Sequence, residues 1–257
     1  MSSSKRFAVL LIITVFAVIA MLFVDPIAQD PLYHDFADAR PLLGWANFAD
    51  TWSNAGFFVV GLLGLITVLK GQSGTLFESK RDSIPYVVFF TSVIGVSLGS
   101  AYYHDAPDNA RLFWDRLPMT VGFMSLTAAL IADRIDKHIG ITMLQPLLIG
   151  AAILSLFYWQ YTEEMGRGDL RFYALVQFLP ILLMPVLCTL FPTARHMTNR
   201  GLLVVVLWYM VAKILEHFDA QVFDLLAKTI SGHTLKHFAA AMACLMVLRM
   251  LKSWRPN

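Results

Sequence analysis

His233 and His237, in the segment GHTLKH, are four positions apart. On a helix that spacing stacks two imidazoles on one face about one turn apart. A pair so placed grips one cation, and zinc is the usual choice where histidine nitrogens dominate. Alone, H-x3-H is weak, because histidines at that spacing also pack in helix interfaces. A second stretch, GSAYYHDAPDNARLFWDRLPM over residues 99–119, carries Ser100, His104 and Asp115. Ser100 and His104 are again one helical turn apart. His104 offers a third nitrogen ligand, which leaves the fourth tetrahedral position for water, the open arrangement of a catalytic zinc site. Asp115 reads either as a carboxylate complementing a helix N-terminus, as a partner of Arg116, or as an acid/base group beside the histidines. Ser100 reads either as a small residue that lets helices approach or as a hydroxyl donor at the same place.

The elements that must position these groups follow from composition. The chain has 257 residues, 57% hydrophobic and only 15% charged, with a mean hydropathy of +0.62. Soluble domains carry about 45–50% apolar and about 25% charged residues. The apolar residues come in blocks of about 17–23, the length that about 30 Å of hydrocarbon demands of a helix. The fold class is therefore all-α, a polytopic membrane protein. A spanning β-barrel would need shorter blocks with strict alternation. Blocks are expected at about 7–24, 51–69, 85–103, 117–132, 139–158, 172–191, 201–218 and 232–251, eight spans in all. The first is longer than a signal-peptide core and lacks a small-x-small cleavage signal, so it is expected to stay as an anchor.

The formal charge of +2 comes from scattered loop cations, with no basic tract of the kind that binds nucleic acid. Cys188 and Cys244 fall inside apolar blocks and read as packing residues. Lysine and arginine concentrate in cytoplasmic loops. With the N-terminus inside, the inner segments hold Lys5, Arg6, Lys70, Lys80, Arg81, Arg134, Lys137, Arg195, Arg200, Arg249, Lys252 and Arg255. The outer segments hold half as many, namely Arg40, Arg111, Arg116, Arg167, Arg171 and Lys228. Both termini are then expected inside, and His104, Asp115, His233 and His237 all fall at the outer boundary. Lys236 is expected to snorkel away from the histidine pair.

Together the residues resemble a family. S-x3-H-x10-D at the boundary of two membrane helices, followed by H-x3-H near the C-terminus, resembles the alkaline ceramidases. These belong to the CREST superfamily of seven-helix membrane hydrolases, which also includes adiponectin and progestin receptor-like proteins. NFADTWSNAGFF (47–58) resembles the first core helix of that family and DRLPM (115–119) its third. The resemblance covers about residues 25–251. It implies a seven-helix core, residues 25–257, preceded by one extra N-terminal anchor helix, residues 1–24.

It further implies zinc held by His104, His233 and His237, with Ser100 and Asp115 assisting catalysis. The reaction implied is hydrolysis of the N-acyl bond of ceramide, or a related long-chain lipid amide, to a fatty acid and a sphingoid base. Ser100 would stabilise the oxyanion, and Asp115 would move the proton from water to the leaving amine. Some relatives bind calcium through an acidic segment before the first core helix. Here Asp35, Asp38, Asn47 and Asp50 supply the oxygens that Ca2+ prefers, although the family's Asp-Trp pattern is absent, and a solvated acidic loop is the other reading. Glu216 is read either as a hydrogen-bond partner of a ligand histidine or as an ion-pair partner of Lys213.

The leading expectation is a zinc-dependent amidohydrolase whose only implied partner is a ceramide-like membrane lipid. No protein partner is implied. A lipid-binding receptor-like protein with structural zinc is the alternative, and a proton-coupled transporter ranks below it, because the ionisable residues gather at one face rather than at the midplane. The compact loops point to a bacterial inner membrane, with the metal site on the periplasmic side.

Overall fold

A computed structural model describes residues 2–253. Among them the chain is built of helices alone, apart from an isolated bridge between Leu42 and Trp45. In order these are α1 (Ser3–Leu22), α2 (Phe48–Ser53), α3 (Ala55–Gly71), α4 (Ile84–Asp105) and α5 (Asn109–Arg134). Then follow α6 (Gln145–Glu164), α7 (Arg171–Leu190), α8 (Asn199–His217), α9 (Asp219–Leu225) and α10 (Gly232–Ser253). The protein is an all-α polytopic membrane protein. Six helices are long and apolar enough to cross a membrane, and up to seven if α8 and α9, bent by 81° at their junction, count as one span.

Every expected block holds a long helix, but α5 departs from expectation at its start. It begins at Asn109, two turns before residue 117, capped by Asp108, whose carboxylate accepts from the Arg111 amide at 2.6 Å. Those first turns carry Arg111, Asp115 and Arg116, so no apolar run marks them. The polar content also keeps α5 out of the helices that pass as spans on composition. α9 was not expected at all.

The bundle exposes large apolar side chains outward, among them Phe16, Leu98, Leu147, Leu154, Leu203 and Phe238. A water-soluble surface does not carry so many; lipid accepts them. Inside, Phe57, Phe90, Leu130, Met184, Val205 and Val247 belong to one cluster joining α3, α4, α5, α7, α8 and α10. The α4–α5 hairpin is the most extensive helix pairing among the described residues. Gly99 lies against α5 so tightly that a Cβ there would stand 2.1 Å from the Trp114 carbonyl oxygen. Pro118 has no N–H to offer that carbonyl four residues earlier. The freed oxygen faces the one residue type that leaves it room. Small residues at such crossings are the usual device of membrane helices.

Candidate metal centre

His104 ends α4 and is fixed from outside the helix. Asn47, in the left-handed region at φ 45°, opens α2 and turns its side-chain amide to donate to the His104 carbonyl at 2.8 Å. Asparagine is among the few residues that adopt this conformation readily. The first turn of α10 is held at four points. Ser231 accepts from the Thr234 amide at 2.9 Å, a helix cap. Asp219, just past the α8–α9 bend, accepts from the His233 amide at 2.7 Å and from Ala37 at 3.0 Å. The hydroxyls of Thr234 and Ser231 both donate to Asp50 Oδ1. His233 and His237 thus stand on a clamped turn.

These contacts bring three buried imidazoles together. One nitrogen from each of His104, His233 and His237 lies within 4.8 Å of the others. His104 Nε2 and His233 Nε2 are 3.3 Å apart, and two nitrogens bound at about 2.0–2.1 Å to a tetrahedral zinc are about 3.3–3.4 Å apart. His237 Nδ1 faces Ser53 Oγ at 2.7 Å, while Ser53 donates to the Asp50 carbonyl at 2.9 Å. Ser53 therefore accepts, Nδ1 carries the proton, and the His237 Nε2 lone pair is left for a cation. Phe36 covers the group, its ring 4.7 Å from His104 and 4.5 Å from His233. A set of imidazole nitrogens with no carboxylate among the three suits zinc rather than calcium or magnesium.

Ser100 and Asp115 line a cavity of about 180 Å³ that also reaches His237. The Ser100 hydroxyl lies against the Asp115 carboxylate. Asp115 Oδ1, buried, has no hydrogen-bond partner among the described residues. Asp115 is six residues into α5, so it does not complement a helix N-terminus, and it makes no ion pair with Arg116 among the described residues. Phe57, Met119, Tyr209 and Ala240 border both this cavity and an apolar slot of about 130 Å³ between α3, α4, α5, α7, α8 and α10. A chamber that reaches His237 thus shares a wall with an apolar one.

Among the described residues Glu216 makes no hydrogen bond to His104, His233 or His237. It pairs with Lys213 and with Lys236 at 2.7 Å and accepts from Tyr33. The Tyr33 hydroxyl is pushed up to about 12, first by burial and then by Glu216, so it stays a donor. Lys236 does not snorkel: its side chain turns inward to Glu216. Three of the four residues named for calcium have side-chain partners in the structure. Asp38 is held in a two-point pair by Arg40 at 2.6 and 2.7 Å, Asn47 serves His104, and Asp50 serves α10. Asp35, Asp38 and Asp50 form no three-carboxylate group among the described residues.

Ser53, Asp219 and Phe36 are the contributors that sequence reasoning missed. Ser53 lies inside the segment NFADTWSNAGFF, which was singled out for its resemblance; the serine itself gives no spacing signal toward His237.

A family model described as Ceramidase matches residues 44–255. No curated protein matches the chain.

Proposed function

The chain belongs to the ceramidase family, and from that premise we propose that it is a zinc-dependent amidohydrolase. It cleaves the N-acyl bond of ceramide, or a related long-chain lipid amide, to a fatty acid and a sphingoid base or amine. The observation that carries this reading is the group of three buried histidine nitrogens within 4.8 Å of one another, of which His237 borders the cavity that Ser100 and Asp115 also line.

His104, His233 and His237 would hold the ion. When bound there, zinc supplies Lewis acidity and makes water a nucleophile at neutral pH. The Asp115 carboxylate, with Oδ1 unengaged, accepts the proton of the water whose oxygen bonds to the acyl carbon. It returns that proton to the amide nitrogen as the C–N bond breaks, so water is divided between acid and amine. The Ser100 hydroxyl donates to the carbonyl oxygen as charge grows on it. The apolar slot takes the acyl chain, which exchanges one apolar surrounding, the bilayer, for another, so the slot orients the chain and adds little hydrophobic binding.

Residues 1–24 act as a membrane anchor added to a seven-helix unit over 25–257, a division supported by a family match that starts after α1. The excess of cations in the inner segments supports cytoplasmic termini, with the metal centre near the periplasmic face of a bacterial inner membrane. An unengaged carboxylate beside the histidines favours turnover over a purely structural ion. The test is fatty-acid release from an N-acyl sphingoid lipid by purified protein. Asp115→Asn should lower the rate about 10²–10⁴-fold with zinc content unchanged; equal rates would remove Asp115 from the chemistry.

A further inference from the structure

Arg116 stands one residue beyond Asp115 and lines the same cavity. Its side chain is only 5% exposed. It is wrapped by aromatic rings, with the guanidinium 4.6 Å from Trp159, 4.6 Å from Tyr173 and 5.4 Å from Tyr33. Nη2 donates to Gln29 Oε1 at 2.8 Å, but buried Nη1 has no partner among the described residues. No carboxylate pairs with it there either, whereas Lys213 and Lys236 share Glu216. The cavity wall thus carries three cations, Arg116, Lys213 and Lys236, against two carboxylates, Asp115 and Glu216.

A buried cation without a counter-charge is costly. Ring faces offset part of that cost, yet they leave two N–H bonds of Nη1 unspent. Within a membrane bundle such a group marks a ligand more often than a strut. Guanidinium has the fork geometry that matches phosphate and carboxylate oxygens. We infer that Arg116 is the seat of an anionic group on the polar head of the lipid amide, so that among long-chain lipid amides an acidic one is held more tightly than its neutral counterpart. This rests on the amidohydrolase reading for the nature of the lipid. The acyl chain then lies in the apolar slot, the amide lies between Ser100, Asp115 and His237, and the acidic head lies among Tyr33, Tyr173 and Arg116.

The experiment compares two uncleavable ligands, ketone analogues of an N-acyl sphingoid base in which CH2 replaces the amide NH. One keeps its primary hydroxyl and the other carries a phosphate there. Dissociation constants are measured on the full-length protein in zwitterionic nanodiscs. The phosphorylated analogue should bind at least about tenfold tighter, the value of one charge-assisted hydrogen bond. Arg116→Gln should abolish that preference while the neutral analogue binds as before, and Arg116→Lys should keep part of it. Equal affinity of the wild-type protein for both analogues would overturn the inference, as would an equal loss for both in Arg116→Gln. If Arg116→Gln does not fold, the wild-type comparison decides. Inorganic phosphate is the control. Competition by phosphate alone, as strong as by the lipid phosphate, would assign the seat to a free anion and overturn the headgroup assignment. Because the ligands are not cleaved, absence of hydrolysis in a separate assay would count against the amidohydrolase and leave this result standing.

Discussion

At the scale of single residues, the tautomer of His237 depends on Ser53, whose hydroxyl hydrogen is committed to the Asp50 carbonyl. Such partners orient a ligand imidazole and raise its basicity. Ser53→Ala should weaken zinc binding about 10–100-fold, measured by competition with a chromophoric chelator; unchanged affinity would make Ser53 a bystander. The three histidines that gather in the structure were legible because histidine is uncommon in apolar helices and its spacing is regular. Ser53 and Asp219 were not legible. Their types suit caps and turns anywhere, and what makes them matter is contact across 184 and 14 residues. Glu216 shows the opposite case: its i,i+3 spacing to Lys213 offered an ion pair as one of two readings, and that pair is present.

At the scale of elements, the α4–α5 hairpin sets Ser100 beside Asp115, and Gly99 lets the two helices meet. Gly99→Ala would put a methyl 2.1 Å from the Trp114 carbonyl oxygen, a backbone atom that cannot swing aside. Overpacking of this kind costs about 1–3 kcal/mol, so a lower melting temperature and a slower hydrolysis should appear together. Gly150→Ala on α6, where a Cβ meets nothing within 4 Å, is the control and should be neutral or gain up to about 1 kcal/mol. Helix existence was readable from apolar blocks, since lipid demands both their length and their composition. The start of α5 was not, because its first two turns carry the polar residues of the site, and a seven-residue helix such as α9 leaves no block to read.

At the scale of the whole molecule, loops strap the two ends of the bundle. Near the α6–α7 turn, Arg171 donates to both oxygens of Asp169 at 2.9 and 2.7 Å and to the Val24 carbonyl, tying the end of α1 to the core helices. Arg171, helped by Tyr158, holds the Asp169 carboxyl down to about 2 from an ordinary 3.8. A depressed acid stabilises above its unfolded value and loses that contribution as pH falls through its folded one. Asp169→Asn should therefore melt lower than wild type by a few degrees at pH 7, with the gap shrinking between about pH 4 and about pH 2. A gap independent of pH would assign the loss to packing instead. At the opposite end, the exposed Glu78 accepts from Arg195 and Lys137, which lower it to about 2. The eight long helices and the gathering of His104, His233 and His237 at one place were readable from the chain, because both follow from the cost of charge in lipid.

The most direct measurement is fatty-acid release from an N-acyl sphingoid lipid by the purified protein before chelation, after chelation and after zinc is returned. The account predicts about one zinc per chain, loss of hydrolysis with the metal, its recovery on adding zinc, and no recovery in His104→Ala, His233→Ala or His237→Ala. Hydrolysis that persists in the metal-free protein or in any of these three variants would contradict it.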